Sequence, residues 1–93
     1  MELIVEKATL FDIKMQRAEW CQTLRKQHNE TQISLAQQLG ISHKTIYNLE
    51  KGTNFTIDTL LKVLQYFDRL DSLHEFLTDQ IKLENNKLNL SFY

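Results

Sequence analysis

Apolar residues recur along most of this chain at the three- and four-residue spacing of amphipathic helices. The pattern predicts helices over about residues 9–28, 32–39, 43–51, 57–67 and 70–77. Four of these segments follow a hydroxyl residue that can cap a first turn, and Asp12 completes a capping box with Thr9. Asn29, Gly40 and Gly52 follow three of them and tolerate left-handed backbone. The sequence therefore predicts five helices joined by short turns.

The apolar side of each predicted helix gives the expected core. It comprises Leu10, Ile13, Trp20, Cys21, Leu24, Leu35, Ala36, Leu39, Ile41, Ile46, Leu49, Ile57, Leu60, Leu61, Leu64 and Phe67. The fifth helix adds Leu70, Leu73, Phe76 and Leu77, which is more apolar surface than so small a core needs. We therefore assign the fifth helix partly to the core and partly to a subunit interface.

The two ends of the chain follow a different pattern. In residues 87–93, Leu88, Leu90 and Phe92 alternate with polar residues, which is typical of a strand. A frayed polar tail with chance apolar residues is the alternative, and the sequence leaves both open. Residues 2–6 could also be extended. A lone strand is unstable in water, so a strand here would need a partner within the chain or across a dimer.

Length and composition suit one domain. Ninety-three residues with 42% hydrophobic content support one core, and the chain has no proline and two glycines. We expect a single domain over 1–93, with a helical core at 9–78 and tails at 1–8 and 84–93 that are candidate dimerisation strands. The apolar run Leu3-Ile4-Val5 is too short for a signal peptide, and no run reaches the ~20 residues of a membrane span. The single Cys21 fits a reducing compartment, and we expect a cytoplasmic location.

The sequence offers no chemistry for catalysis. His28, His43 and His74 lie 15 and 31 residues apart, which matches no metal-ligand spacing. Cys21 falls on an apolar helix face and is expected to be a core residue rather than a nucleophile. No Ser-His-Asp arrangement or phosphate-binding glycine loop is present. We therefore expect no enzyme activity, no metal and no cofactor.

The third predicted helix has an unusual polar side. Between its core positions it carries His43, Lys44, Tyr47 and Asn48, with Thr45 at the margin. These are hydrogen-bond donors, acceptors and an aromatic ring rather than the Glu and Lys of an ordinary solvated face, as expected of a helix that enters a DNA major groove. The formal charge of −1 gives little help, but residues 25–51 carry four bases and two acids.

Two motifs resemble a known family. Ala36 to Ser42 reads A-x-x-L-G-I-S, and Thr45 to Gly52 reads T-I-x-x-L-E-K-G. Together they resemble the helix-turn-helix of the lambda-repressor/Cro-like family, also called the xenobiotic-response-element family. The resemblance covers about Leu24 to Leu77 and is most specific from Thr31 to Gly52. It implies an all-α, five-helix lambda-repressor-like fold. The short β-strand tails considered at a dimer interface rest on the alternating pattern at the chain ends and lie outside the resemblance.

The resemblance implies roles for individual residues. A first group contacts DNA phosphates and base edges: Gln32, Ser42, His43, Lys44, Thr45, Tyr47, Asn48, Lys51 and Asn54. Arg25 and Glu50 correspond to a structural salt bridge between the first and third helices. The sequence departs from the family where Glu30 replaces an apolar residue, Ser34 an acid and Phe55 a proline.

The implied function is sequence-specific binding of double-stranded DNA. We expect a transcriptional repressor that binds a palindromic operator as a homodimer, with two recognition helices about 34–36 Å apart. An antitoxin of HipB type, which binds and neutralises a toxin protein while repressing its own operon, is the alternative. No membrane partner is expected.

Overall fold

The computed structural model describes the backbone of residues 7–91 and the side chains of residues 7–88. This part of the chain contains α1 (Leu10–Gln27), α2 (Gln32–Leu39), α3 (His43–Lys51), α4 (Ile57–Tyr66) and α5 (Leu70–Ser91). The predicted all-α class is confirmed, and no strand occurs between residues 7 and 91. None of these helices is both long and apolar enough to cross a membrane.

Hydroxyl residues start the first four helices, as the sequence predicted. In each case the hydroxyl oxygen accepts a hydrogen bond from the third residue of the helix, and these caps are Thr9, Thr31, Ser42 and Thr56. The capping box is confirmed, because the Thr9 amide also donates to the Asp12 carboxylate over 3.0 Å. Caps of this kind satisfy amides that would otherwise lack a partner in the first turn.

Left-handed residues follow each of the first four helices. Gly40 has a φ of 67° and Gly52 a φ of 75°, and each is the residue at which the helix stops. Asn29 follows α1 with a φ of 56°, as expected. Asp68, with a φ of 57°, makes the corresponding turn between α4 and α5. The sequence predicted a break there but not its left-handed backbone. These turns set the angles at which the helices meet.

One core joins the second half of α1 to α2, α3 and α4. Its cluster of buried residues comprises Cys21, Leu24, Leu35, Ala36, Ile46, Leu49, Val63, Leu64 and Phe67. Trp20, Leu39, Ile41, Phe55, Leu60, Leu70 and Leu73 cover its edges. Burial of each such aliphatic side chain contributes about 1.5–3 kcal/mol, so this cluster is the main source of stability.

The predicted core extended too far at two helix starts. Leu10 is 82% exposed, Ile13 is 51% exposed and Ile57 is 68% exposed. Burial in α1 begins only at Ala18, so the first two turns of α1 extend past the core. Val63, absent from the prediction, is fully buried. Periodicity identifies the apolar side of a helix, but it does not reveal how far the neighbouring helices reach along it.

The predicted C-terminal strand is wrong for residues 87–91. The backbone continues as α5 to Ser91, so residues 84–91 are helical. The physical reason is that Leu77, Ile81 and Leu88 also repeat at helical spacing, and no glycine or proline interrupts residues 70–91. Over this length the helical repeat outweighs a short alternation at its end. Residues 2–6 and 92–93, where strands were also considered, lie outside the described part of the chain.

Candidate nucleic-acid interface

Helices α2 and α3 meet through a tight turn at Gly40. The Ile41 amide donates to the Ala36 carbonyl over 3.0 Å, which closes the turn. Ala36 is buried, and behind α3 both Ile46 and Leu49 are completely shielded from solvent. The core thus holds α3 from one side only, and its other side lies at the surface.

The exposed side of α3 carries the residues expected there. His43, Lys44, Tyr47 and Lys51 are exposed, and Asn48 is half-buried beside them. The Lys51 ammonium lies 4.9 Å from the centre of the Tyr47 ring, close enough for a cation–π interaction. Asn54 is exposed in the turn that follows α3. The surface formed by these six residues is called the recognition face below.

Two of the expected contact residues have capping roles. The Ser42 hydroxyl accepts from the Thr45 amide over 3.1 Å. The two hydroxyl oxygens lie 2.7 Å apart, within hydrogen-bond distance. These side chains therefore fix the first turn of α3. Any contact of Ser42 or Thr45 with a ligand would come in addition to this capping role.

An ion pair connects α1 to α3 beneath the recognition face. The Arg25 guanidinium donates to both carboxylate oxygens of Glu50, over 2.7 Å from Nε and 2.9 Å from Nη2. Only 11% of the Arg25 side chain and 2% of the Glu50 side chain are exposed. The hydrogen bonds to Glu50 raise the pKa of Arg25, against the opposite effect of burial. Arg25 also donates to the Glu30 carbonyl over 2.8 Å.

Gln32 extends this ion pair to the recognition face. Its Nε2 donates to Glu50 Oε1 over 3.0 Å, and its Oε1 lies 3.0 Å from His43 Nε2. Glu50 of α3 thus joins three helices, because it accepts hydrogen bonds from Arg25 of α1 and from Gln32 of α2. Sequence reasoning gave Gln32 a phosphate contact and missed this bridge, because nothing in the spacing indicates that the first residues of α2 and α3 meet.

The first half of α1 supports the turn after α3, which sequence reasoning also missed. The Arg17 guanidinium carbon lies 3.4 Å from the centre of the Phe55 ring, a cation–π contact, and desolvation lowers the Arg17 pKa. A Cβ on Gly52 would lie 2.9 Å from the Met15 sulfur. Phe55, one of the departures from the family pattern, therefore provides a ring for Arg17 close to Lys51 and Asn54.

Glu30, a second departure, contacts a tyrosine instead of entering the core. The Tyr66 hydroxyl donates to Glu30 Oε1 over 2.6 Å, and this hydrogen bond raises the Tyr66 pKa. Ser34, the third departure, donates its amide to the Thr31 cap. Neither contact lies on the recognition face, so both departures adjust the framework around it.

Cys21 is a buried thiol close to this framework. Burial, with a further contribution from the Glu50 charge, raises its pKa to about 12. A thiol that stays protonated is a poor nucleophile and a poor metal ligand. Across residues 7–91 there is no group of three or more His, Cys, Asp or Glu side chains that could hold a metal ion.

Comparison with protein-family models identifies the helix-turn-helix segment. Residues 22–72 match the model of the helix-turn-helix family, from the second half of α1 into the first turn of α5. The match covers more than half of the chain and includes the whole of α2, α3 and α4. No curated protein matches the sequence.

Proposed function

This chain belongs to the lambda-repressor/Cro-like helix-turn-helix family of sequence-specific DNA-binding transcription regulators, and we propose that it is a repressor that binds a palindromic operator as a homodimer. The observation that carries the proposal is the recognition face, which is polar, exposed and held from behind by Ile46 and Leu49. With such a face, the chain represses by occupying a promoter. The proposed place of action is the cytoplasm, because the single Cys21 is a free thiol and fits a reducing compartment.

In this proposal, some residues of the recognition face contact base edges and others contact phosphates. His43, Lys44 and Asn48 read base edges, since they lie on the first two turns of α3, where a recognition helix contacts bases. Lys44 and Lys51 neutralise phosphates, with Tyr47 and Asn54 beside them, and Ser42 and Thr45 present the start of α3. Gln32 donates its second amide hydrogen to a phosphate, because only one is used by Glu50.

Asn48 tests the base-reading part of the proposal. An asparagine amide pairs with adenine through two hydrogen bonds, so Asn48→Ala should lower affinity for a selected operator by about 1–3 kcal/mol. Binding to random DNA should change little. Lys51→Ala is the matched control on the same helix and should weaken binding to both DNAs alike. Its slope of log affinity against log salt concentration should be about one unit shallower than that of the wild type. A mobility-shift titration over several salt concentrations measures both. Equal losses on both DNAs for Asn48→Ala would contradict base reading.

The homodimer part of the proposal rests on the second half of α5. Every described side chain from Asp79 to Leu88 is exposed. Leu77, Ile81 and Leu88 nevertheless form an apolar stripe and are 50%, 61% and 55% exposed. A helix that packs against nothing is marginal in water. A second copy of α5 would cover this stripe and supply the twofold symmetry that a palindromic operator requires.

Two charges placed on this stripe test the dimer. The double variant Leu77→Glu with Ile81→Glu should sediment as a monomer and bind the operator more weakly at low protein concentration, because paired carboxylates oppose burial. Asn86→Glu is the control, since nine residues from Leu77 places it on the opposite side of α5. It should remain a dimer. A wild-type chain that is monomeric at micromolar concentration would contradict the homodimer.

An antitoxin is the second candidate function, and a separate apolar surface favours it. Leu10 and Phe11, at the start of α1, are 82% and 69% exposed. They belong to the part of α1 that precedes the family match. We propose that a toxin protein binds to these two side chains. If the product of an adjacent gene inhibits growth, the wild-type chain should relieve that inhibition. The double variant Leu10→Glu with Phe11→Glu should lose this relief while it keeps DNA binding, and that result would support the function. Full relief by that variant would contradict it.

A further inference from the structure

The Gln32 side chain has a fixed orientation. Glu50 is an ionised carboxylate held by Arg25, so its oxygens can only accept hydrogen bonds. The Gln32 atom that lies 3.0 Å from Glu50 Oε1 must therefore be the amide nitrogen. The amide oxygen then faces His43. The opposite amide orientation would place two acceptors in contact beside a carboxylate that is almost fully buried.

This orientation decides where the proton of the His43 ring lies. The Gln32 oxygen, 3.0 Å from His43 Nε2, is an acceptor, so Nε2 must donate. In a neutral imidazole with a proton on Nε2, the other nitrogen has a free lone pair. Within residues 7–91, no hydrogen bond to His43 Nδ1 is found, and the residue is exposed on the recognition face. His43 thus presents a hydrogen-bond acceptor to its surroundings.

We propose that His43 reads DNA as an acceptor through Nδ1 and that its target is the exocyclic amino group of adenine or cytosine. This inference rests on the proposed DNA-binding function. Adenine N6 and cytosine N4 are the amino donors in the major groove, whereas the edges of guanine and thymine offer acceptors there. An Nδ1 lone pair therefore selects adenine or cytosine and repels the other two bases.

Gln32 is a positioning residue in this arrangement. It contacts His43 on one side and Glu50 on the other, so the buried ion pair sets the donor and acceptor pattern of a residue at the surface. Without Gln32 the ring is free to rotate and to exchange its proton between the two nitrogens. The specificity of His43 then falls even though His43 itself is unchanged.

Ring-nitrogen chemical shifts of the free protein test the proton position directly. His28 is an internal control, because its Nδ1 lies 2.8 Å from the Leu24 carbonyl oxygen, which can only accept. In mildly alkaline buffer, long-range proton–nitrogen spectra should show His43 protonated on Nε2 and His28 protonated on Nδ1. In Gln32→Leu, the His43 pattern should shift towards a mixture while that of His28 stays the same. His43 protonated on Nδ1 in the wild type would overturn the inference.

Base analogues test what the lone pair recognises. The probe is the duplex recovered by selection from a random pool, at the base pair whose identity ceases to matter in His43→Ala. Replacing adenine there with purine, or cytosine with its analogue lacking N4, should weaken binding of the wild type about fivefold, the effect of one hydrogen bond. The same replacement should have no effect on His43→Ala. Removing N7 by a 7-deaza purine should leave the wild type unchanged.

The outcomes separate this inference from the function on which it depends. Loss of binding on removal of N7, with none on removal of the amino group, would overturn the acceptor role while leaving sequence-specific binding intact. Failure to recover any selected duplex would instead overturn the proposed function. Gln32→Leu should weaken all duplexes to a similar extent through the lost phosphate contact, and it should in addition lose the amino-group effect. If it weakened all duplexes equally and kept the amino-group effect, Gln32 would not be the residue that positions His43.

Discussion

Helix α3 and the second half of α5 are both amphipathic, but only α3 has its apolar side covered within the described chain. Ile46 and Leu49 of α3 are fully buried. Leu77 and Ile81 of α5 are at least half exposed. The polar residues differ as well, since Glu50 of α3 is enclosed by hydrogen bonds whereas Glu84 of α5 makes one exposed ion pair.

This difference separates a polar face that is supported within one chain from an apolar stripe that is not. The recognition face is held in place because α1, α2 and α4 pack behind it. The stripe on α5 is apolar and has no such support. Two helices with similar amphipathic patterns thus differ in whether the rest of the described chain covers their apolar sides.

Removing one glutamate from each region should give the largest contrast. Glu50→Ala leaves the Arg25 charge and the Gln32 amide without their partner, and loss of one member of a buried pair costs about 3–5 kcal/mol. Glu84→Ala breaks an exposed contact of 3.5 Å and should cost less than about 1 kcal/mol. Urea unfolding at equal protein concentration measures both. Similar losses in the two variants would show that the buried pair does not stabilise the framework.

The two glycines should sharpen the comparison within the framework itself. Both have positive φ, so an alanine at either position is strained by about 1–2 kcal/mol. A Cβ at Gly40 has no atom within 4 Å, whereas at Gly52 it would displace the Met15 side chain. Gly52→Ala should therefore destabilise more than Gly40→Ala. The melting temperatures of the two variants would test this, and the reverse order would contradict the contact between α1 and the turn.

Alkaline pH should produce a smaller effect through Cys21. Burial raises its folded pKa from 9.0 to about 12, so above pH 9 the folded state keeps a proton that the unfolded chain releases. Between about pH 9 and pH 12 the free energy of unfolding should then fall by up to about 1.4 kcal/mol for each pH unit, and the effect ends where the folded thiol also ionises. Cys21→Ala should lack this component of the slope while keeping that of the other titrating groups. Identical slopes in the two proteins would contradict the raised pKa.

Sequence alone predicted the centre of the fold well. The bounds of α2 and α3 agree with the prediction, because Thr31, Ser42 and the two glycines mark their ends by local chemistry. The ion pair expected between Arg25 and Glu50 is present. Features of this kind depend on residues close in sequence or on a motif of fixed spacing, and both can be read from one chain.

The rest depends on distances that sequence does not encode. The exposure of Leu10 and the burial of Val63 follow from where neighbouring helices end. α5 extends well beyond the predicted 70–77, which the sequence did not reveal because the alternation of Leu88, Leu90 and Phe92 near its end is typical of a strand. The bridge from Glu50 through Gln32 to His43 joins side chains that are far apart in the sequence. The roles of the recognition-face residues in DNA binding remain predictions.

The contacts of Arg17 and Met15 bear on how this protein could be engineered. Both residues precede the family match, yet both contact the turn that carries Asn54. A graft limited to 22–72 would discard the cation that stacks on Phe55 and the thioether that abuts Gly52. Moving this helix-turn-helix intact onto a foreign scaffold therefore requires transplanting α1 from Met15 or earlier.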